Sequence, residues 1–349
     1  MAFIEISKDN YRHNIEYLST KAGGKDKLMV VLKDNAYGHG LETMAQLACE
    51  FGIKKSAVKT LEEAQKIDSL FEEVLILADH PPLVLQNQNI SYAVHSLEGL
   101  KKFPKKSSLH INIDTGMHRN GIREDELETA FKVIVERDLK LKGIFTHFRS
   151  ADDISSDQYW QNENFNTIKN RAKDLIAKFE LPMPKFHSCN SASLLRRKNP
   201  LDDDFARCGI STYGYTHLDE VFSTTNDKQD RSFNLKPVMS LWAEKLSTRS
   251  LKKGDRVGYG GVYELMCDSD ISTYDIGYGD GFFRHDGKSD LVLEGKSVCG
   301  RISMDSLGFL GNAQKVCLFR DAHGLASKFD TIAYDIITRV APHIKKVIV

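Results

Sequence analysis

The 349 residues carry 48 Lys and Arg against 48 Asp and Glu, a balance that leaves no basic field for nucleic acid and no acidic surplus for a solvating tail. The length exceeds one small domain, so two domains and a small-molecule partner are expected. The opening MAFIEISKDNYRHN is charged every few positions and no run of about 20 apolar residues follows it, which predicts a soluble, cytoplasmic chain without a membrane segment.

In chain order, Ser7 is the candidate cap of a helix that places Tyr11, Ile15 and Leu18 on one face. Eight short β-rich runs then alternate with segments of helical period: Leu28 to Lys33, Ser56 to Val58, Glu73 to Asp79, Ser91 to His95, Leu109 to Asp114, Leu141 to Phe148, Lys185 to Asn190 and Ala206 to Ser211. The second run is the weakest. Leu127, Phe131 and Ile134 mark one intervening helix, and Phe165, Ile168, Ala172, Leu175 and Phe179 another. Eight strand–helix units fit an α/β fold of (β/α)8 TIM-barrel type, although a doubly wound open sheet fits the same pattern. The polar tract from 217 to 233 reads as a linker, after which VMSLWAEKLS, DISTYDIG and LVLEGKSVCG predict a mainly antiparallel β-domain to about residue 322. A last helix, TIAYDIITRVAPHI, stops near Pro342. The barrel is placed at residues 8–222 and the β-domain at 223–349, with the N-terminal strand 1–7 joining the latter. The six cysteines include no CxxC pair, which argues against a disulfide framework or a zinc site, and no metal is expected.

The most informative segment is LKDNAYGHG, residues 32 to 40, where Lys33 ends an apolar strand and a glycine-containing loop follows. A lysine at the C-terminal end of a barrel strand stands where barrel active sites are built, and partly desolvated it can bind an aldehyde cofactor covalently. Taken alone, such a lysine is most simply a solvated strand end. Arg207 likewise has a structural alternative, a salt bridge to Asp202, Asp203 or Asp204, and His147 and His187 alone read as core or strand-end histidines.

LKDNAYGHG resembles the segment around the cofactor lysine of alanine racemases, a fold-type III family of pyridoxal phosphate enzymes. Similar blocks follow in order: IDTGMHRNG (113–121), GIFTHF (143–148), HSCNSAS (187–193), ARCGISTYG (206–214), VGYGGVY (257–263), IGYGDGFFR (276–284), GRISMD (300–305) and TIAYD (331–335). The resemblance implies the barrel fold, a pyridoxal 5'-phosphate cofactor, and an isomerase that interconverts L- and D-alanine for peptidoglycan precursors. It implies Lys33 as the base on one face and Tyr259, supplied across a homodimer interface, as the base on the other. Arg119 would bind the cofactor's phenolate oxygen and Arg207 its ring nitrogen, with His187 supporting Arg207 and His147 pairing with Tyr259. Phosphate and ring contacts would come from Tyr37, Asn190, Ser191, Gly209, Ile210 and Tyr334, while Met304 and Asp305 would line the way in for substrate.

One position departs from the family pattern. Asn112 stands where a carbamylated lysine is usual, and a neutral amide cannot supply that lysine's charge to Arg119. Asn112 itself, Asp114, or a bound anion such as chloride near Asn112 and Arg119 would have to replace it. A broad-specificity amino-acid racemase and a non-catalytic pyridoxal phosphate-binding protein are the alternatives; the second β-domain and Tyr259 speak against the latter. A decarboxylase of the same fold type would need an acidic residue where Arg207 stands.

Overall fold

The computed structural model describes residues 1–82, 87–218 and 233–349. The chain divides into two compact units, one of Arg12–Asp34 with Leu41–Lys236, the other of Met1–Tyr11, Asn35–Gly40 and Pro237–Val349. It opens with β1 (Phe3–Ile6) and α1 (Lys8–Ala22), whose Asn10 amide donates to Ser7 Oγ at 3.3 Å and whose Tyr11, Ile15 and Leu18 are buried.

The first unit is built on eight parallel strands: β2 (Leu28–Val31), β3 (Lys55–Val58), β4 (Glu73–Ile76), β5 (Ile90–Val94), β6 (Ser108–Asn112), β7 (Lys140–Phe145), β8 (Lys185–His187) and β9 (Ala206–Cys208). They pair in the order β8-β7-β6-β5-β4-β3-β2-β9, a barrel that is nearly closed. Across the remaining seam the Asp204 amide donates to the Phe186 carbonyl and the Arg207 amide to the Cys189 carbonyl, each at 2.9 Å. All eight expected runs are strands, the weak second one included. Every residue of β2, β5 and β6 is buried, as both faces of a barrel sheet require, and in β2 this is matched by a continuous apolar sequence. Helices α2 (Lys33–Tyr37), α3 (Leu41–Glu50), α4 (Leu61–Ile67), α5 (Leu97–Lys102), α6 (Leu127–Glu136), α7 (Asp157–Lys178) and α8 (Ser191–Arg196) follow the strands. The apolar stripes of α6 and α7 are buried at Leu127, Phe131, Ile134, Phe165, Ile168, Ala172 and Leu175; Phe179 caps α7 and is half-buried.

The second unit centres on β10 (Met239–Leu251). The hairpins β11 (Arg256–Val257) with β12 (Tyr263–Glu264) and β14 (Val292–Leu293) with β15 (Lys296–Ser297) flank the main sheet, whose remaining strands are β13 (Ser269–Tyr274), β16 (Leu307–Leu310), β17 (Lys315–Phe319) and β18 (Lys345–Ile348). The sheet runs β16-β13-β10-β1-β18, with β17 also on β10, and is antiparallel except where β1 meets β18. Two features differ from the sequence expectation. The last helix is shorter, Ala333–Arg339, because the backbone already leaves the helical region at Val340 (φ −58°, ψ 122°), and the chain after Pro342 is a strand rather than an end. A short helix, Ala322–Ala326, precedes it. The expected linker lies largely outside the described residues.

Among the described residues no helix is long and apolar enough to cross a membrane, and no cluster of His, Cys, Asp or Glu is placed to hold a metal. All six cysteines are free.

Candidate active site

Lys33 leaves β2 just after the Leu32 amide donates to the Ala57 carbonyl at 2.7 Å, and its side chain is 39% exposed. The four residues after it, Asp34, Asn35, Ala36 and Tyr37, have φ of 54°, 56°, 52° and 52°. This left-handed turn contains no glycine, and L-residues in that conformation cost roughly 1–2 kcal/mol each. Such strain persists where the surroundings over-determine it, which is commonly at functional sites. Asp34 is held by Lys59 Nζ at 3.1 Å. In the second unit, the Tyr37 carbonyl lies 3.1 Å from His39 Nδ1, and the Tyr37 ring lies 6.1 Å from that of Tyr334.

Arg207, on β9, is buried. Its Nη1 donates to His187 Nδ1 at 2.6 Å and to the His187 carbonyl at 2.8 Å, and its Nη2 donates to the Thr146 carbonyl at 2.7 Å. The salt-bridge alternative is not realised. Asp202 pairs with Arg197, Asp204 with Lys185, and Asp203 with Lys169 and the Ser188 amide. Burial pushes the guanidinium down to about 10, opposed by Cys189 and Asp203, so it remains a cation at neutral pH. His187 stacks between Phe145 and Phe205, with ring centroids 5.0 and 4.4 Å away, and burial beside Arg207 holds it neutral.

His147 follows β7 and is half-buried. Burial, then the charges of Arg207, Arg119 and Lys33, take it down to about 3, so it is a neutral imidazole among three cations at one barrel mouth. Arg119 itself is exposed. Asn112, Asp114, Arg119 and His147 help line a cavity of about 10 Å³, the room of one water-sized particle. Asn112 Nδ2 donates to His95 Nδ1 at 3.2 Å, which orients the amide and leaves its buried Oδ1 without a hydrogen-bond partner. Asp114 is engaged by its own loop, accepting from the Gly116 and His118 amides and from His118 Nδ1, each at 3.0 Å.

Ser191 opens α8, and its Oγ accepts from the Gly209 amide at 3.1 Å and the Ser211 amide at 3.5 Å. The buried Ser211 hydroxyl has no protein partner. Asn190 is the cap of α8: its Oδ1 accepts from the Ser193 amide at 2.9 Å, so its Nδ2 is the group left for a ligand. In the second unit Tyr259 sits on the β11–β12 hairpin, 70% exposed, at a cavity of about 680 Å³ that includes Arg249, Arg256 and Arg301. Met304 and Asp305 are exposed on the loop before β16, where the Met304 carbonyl accepts from the Gly279 amide at 2.8 Å.

The sequence reading passed over Thr146, Ser211, His110 and Glu73. A signal existed for His110, since residues 108, 110 and 112 are polar and share one face of β6. None existed for Thr146, which acts through its backbone.

Two family models match, "Alanine racemase, N-terminal domain" over residues 6–217 and "Alanine racemase, C-terminal domain" over residues 238–348. An alanine racemase of Nitratiruptor sp. is 45% identical over 346 residues, covering 99% of each chain. Among solved structures, the Bacillus anthracis alanine racemase with bound L-Ala-P superposes with a TM-score of 0.84 at 26% identity, over 100% of this chain and 95% of that one. A histidine racemase of Leuconostoc mesenteroides subsp. sake superposes with a TM-score of 0.83 at 25% identity, over 100% and 98%.

Proposed function

The chain belongs to the alanine racemase family, and on that premise we propose that it interconverts L- and D-alanine using pyridoxal phosphate carried on the barrel, residues 8–222. Its two bases are Lys33 and the partner subunit's Tyr259. The donor set fits the phosphate: the Gly209 and Ser211 amides, the Ser191 hydroxyl and the unpartnered Ser211 hydroxyl meet without a carboxylate among them. Ile210, Tyr37 and Tyr334 complete the phosphate contacts in this reading, and Asn190 Nδ2 and His147 face the ring. When bound, pyridoxal phosphate delocalises the electron pair left behind as the substrate's α-proton departs.

The observation that carries the reading is Arg207, a buried cation whose acceptors are an imidazole and backbone carbonyls rather than a carboxylate. A guanidinium gives the ring nitrogen a hydrogen bond but no proton, which keeps electron withdrawal modest. Rapid return of a proton is then favoured over slower side reactions. Because one base returns the proton to the face it came from, inversion needs Lys33 on one side and a second acid on the other. The neutral His147 is suited to accept a hydrogen bond from the partner subunit's Tyr259. Arg119 binds beside the substrate, and a small anion such as chloride near Asn112 and Arg119 would supply the negative charge an amide lacks. An anomalous bromide peak between Asn112 and Arg119 supports that anion, and its absence removes it. Met304 and Asp305 flank the approach of a methyl-sized substrate.

Alanine as substrate is supported by the names of the relatives and by the L-Ala-P bound in the Bacillus structure. The histidine racemase of the same fold makes a broader amino-acid racemase the second reading. D-Alanine made in the cytoplasm would feed peptidoglycan precursors, in keeping with the bacterial relatives. The deciding experiment is deuterium incorporation at Cα of L-alanine in D2O with product chirality followed, alongside L-histidine and L-serine. Exchange with D-alanine formation is expected; no exchange sinks the assignment, and faster exchange of another amino acid selects the second reading.

A further inference from the structure

Within the barrel unit lies a file of polar side chains that proton transfer at alanine does not require. Glu73 is the first residue of β4, and its Oε1 lies 2.8 Å from His110 Nε2 and 3.2 Å from Ser91 Oγ. His110 Nδ1 lies 2.8 Å from His187 Nε2, and His187 Nδ1 lies 2.6 Å from Arg207 Nη1. Both imidazoles are fully buried, while the Glu73 side chain is 19% exposed. The space for His110 depends on Gly143 of β7, where a Cβ would stand 2.1 Å from His110 Nδ1.

The direction of every bond in this file is fixed by one end. A guanidinium only donates, so His187 Nδ1 must accept and the His187 proton sits on Nε2. That proton points at His110 Nδ1, which must therefore accept, leaving the His110 proton on Nε2. Its acceptor is the Glu73 carboxylate. Any other placement sets two donors face to face inside the barrel. Burial alone would raise the Glu73 carboxyl, but its bond to His110 and that to Ser91 hold it below its ordinary value. Lys142 is the cation acting on Glu73, and Asp203 acts on Arg207 without bonding to it, being occupied by Lys169 and Ser188.

We propose that Glu73 is a positioning residue for the reaction: by accepting the last proton of a file whose tautomers Arg207 fixes, its carboxylate anchors His110 and His187 and so holds the Arg207 guanidinium in place from the opposite end. The effect on catalysis rests on Arg207 meeting the cofactor's ring nitrogen, as proposed above. The tautomer order does not.

The test is long-range nitrogen–proton correlation spectra of the full-length protein, with the rings assigned by His110→Gln and His187→Gln. Wild type is expected to show both rings neutral with the proton on Nε2 between pH 6 and 8. Glu73→Ala should leave both ring protons on Nε2 but take away the acceptor of His110 Nε2–H, shifting that resonance and lowering kcat for alanine about tenfold with KM little changed, the size typical of losing a supporting hydrogen bond behind a functional group. Glu73→Gln, which keeps an acceptor but no charge, should retain most of kcat, with the His110 Nε2–H proton resonance moved upfield. A His187 proton on Nδ1 in wild type, or an unmoved His110 resonance in Glu73→Gln, overturns the proposal whether or not Glu73→Ala folds. Should wild type fail to racemise alanine, the functional reading falls while the spectra still decide the file.

Discussion

The Arg207 guanidinium lies over Phe145, its central carbon 4.9 Å from the ring centroid. Stacking and three short hydrogen bonds hold one planar cation in one orientation, an arrangement that an ammonium cannot copy. Arg207→Lys keeps the charge but reaches one of the three acceptors at a time. Charge-assisted hydrogen bonds contribute about 1.5–3 kcal/mol each, so with two of them lost unfolding stability should fall by roughly 3–6 kcal/mol and kcat by about a hundredfold. Denaturant melts and alanine kinetics check both. Wild-type stability in Arg207→Lys would mean that the charge alone matters.

Ser211 offers a prediction in which stability and binding move apart. Its buried hydroxyl has no protein partner in this chain, so Ser211→Ala should leave the thermal midpoint of the cofactor-free protein unchanged or raise it. Affinity for pyridoxal phosphate, read from spectral titration, should weaken about tenfold, the worth of one hydrogen bond to an anion. A variant that loses stability and keeps affinity would assign the hydroxyl to the core and remove it from the phosphate contacts.

The barrel was legible because strands buried on both faces write themselves as apolar runs between turns, as LMVV of β2 does. Lys33 was legible through its local block. The file behind Arg207 was not, because the alternation that marks His110 on β6 does not name its partners, which lie 37 and 77 positions away. No local period encodes such a pairing. The same holds for β18, a four-residue strand after a proline whose partner β1 is at the other end of the chain. The left-handed turn at Asp34 to Tyr37 also left no trace, since the usual marker for positive φ is glycine and this turn has none.

Acid sensitivity follows from three histidines. Burial takes His39 down to about 4; burial and the neighbouring cations take His147 to about 3 and His187 well below its ordinary value. Each takes up a proton near pH 6.5 when unfolded but not when folded. Their contribution is therefore complete above about pH 6.5 and is lost as the pH falls toward 4 and then 3. Each group steepens the loss by about 1.4 kcal/mol per pH unit inside its window. Urea unfolding at pH 7, 6 and 5 should show it, and His39→Gln should remove one proton from the slope. A stability that stays flat from pH 7 to 5 contradicts the neutral burial of all three.

Tyr259 is 70% exposed in the single chain, so its own subunit leaves most of it open to water. If it serves as the second base it must do so in a neighbour's site, and complementation then gives a numerical answer. Lys33→Ala and Tyr259→Phe chains should each be nearly inactive alone. In a dimer containing one of each, one site collects both defects and the other collects the intact Lys33 of one chain with the intact Tyr259 of the other. Random reassociation of equal amounts makes about half the dimers mixed, each with one good site of two, so activity should return to about a quarter of wild type. Sites completed within a single chain would give no recovery, because every mixed dimer would then carry one lysine-less and one tyrosine-less site. Recovery should also decline on dilution as the dimers separate.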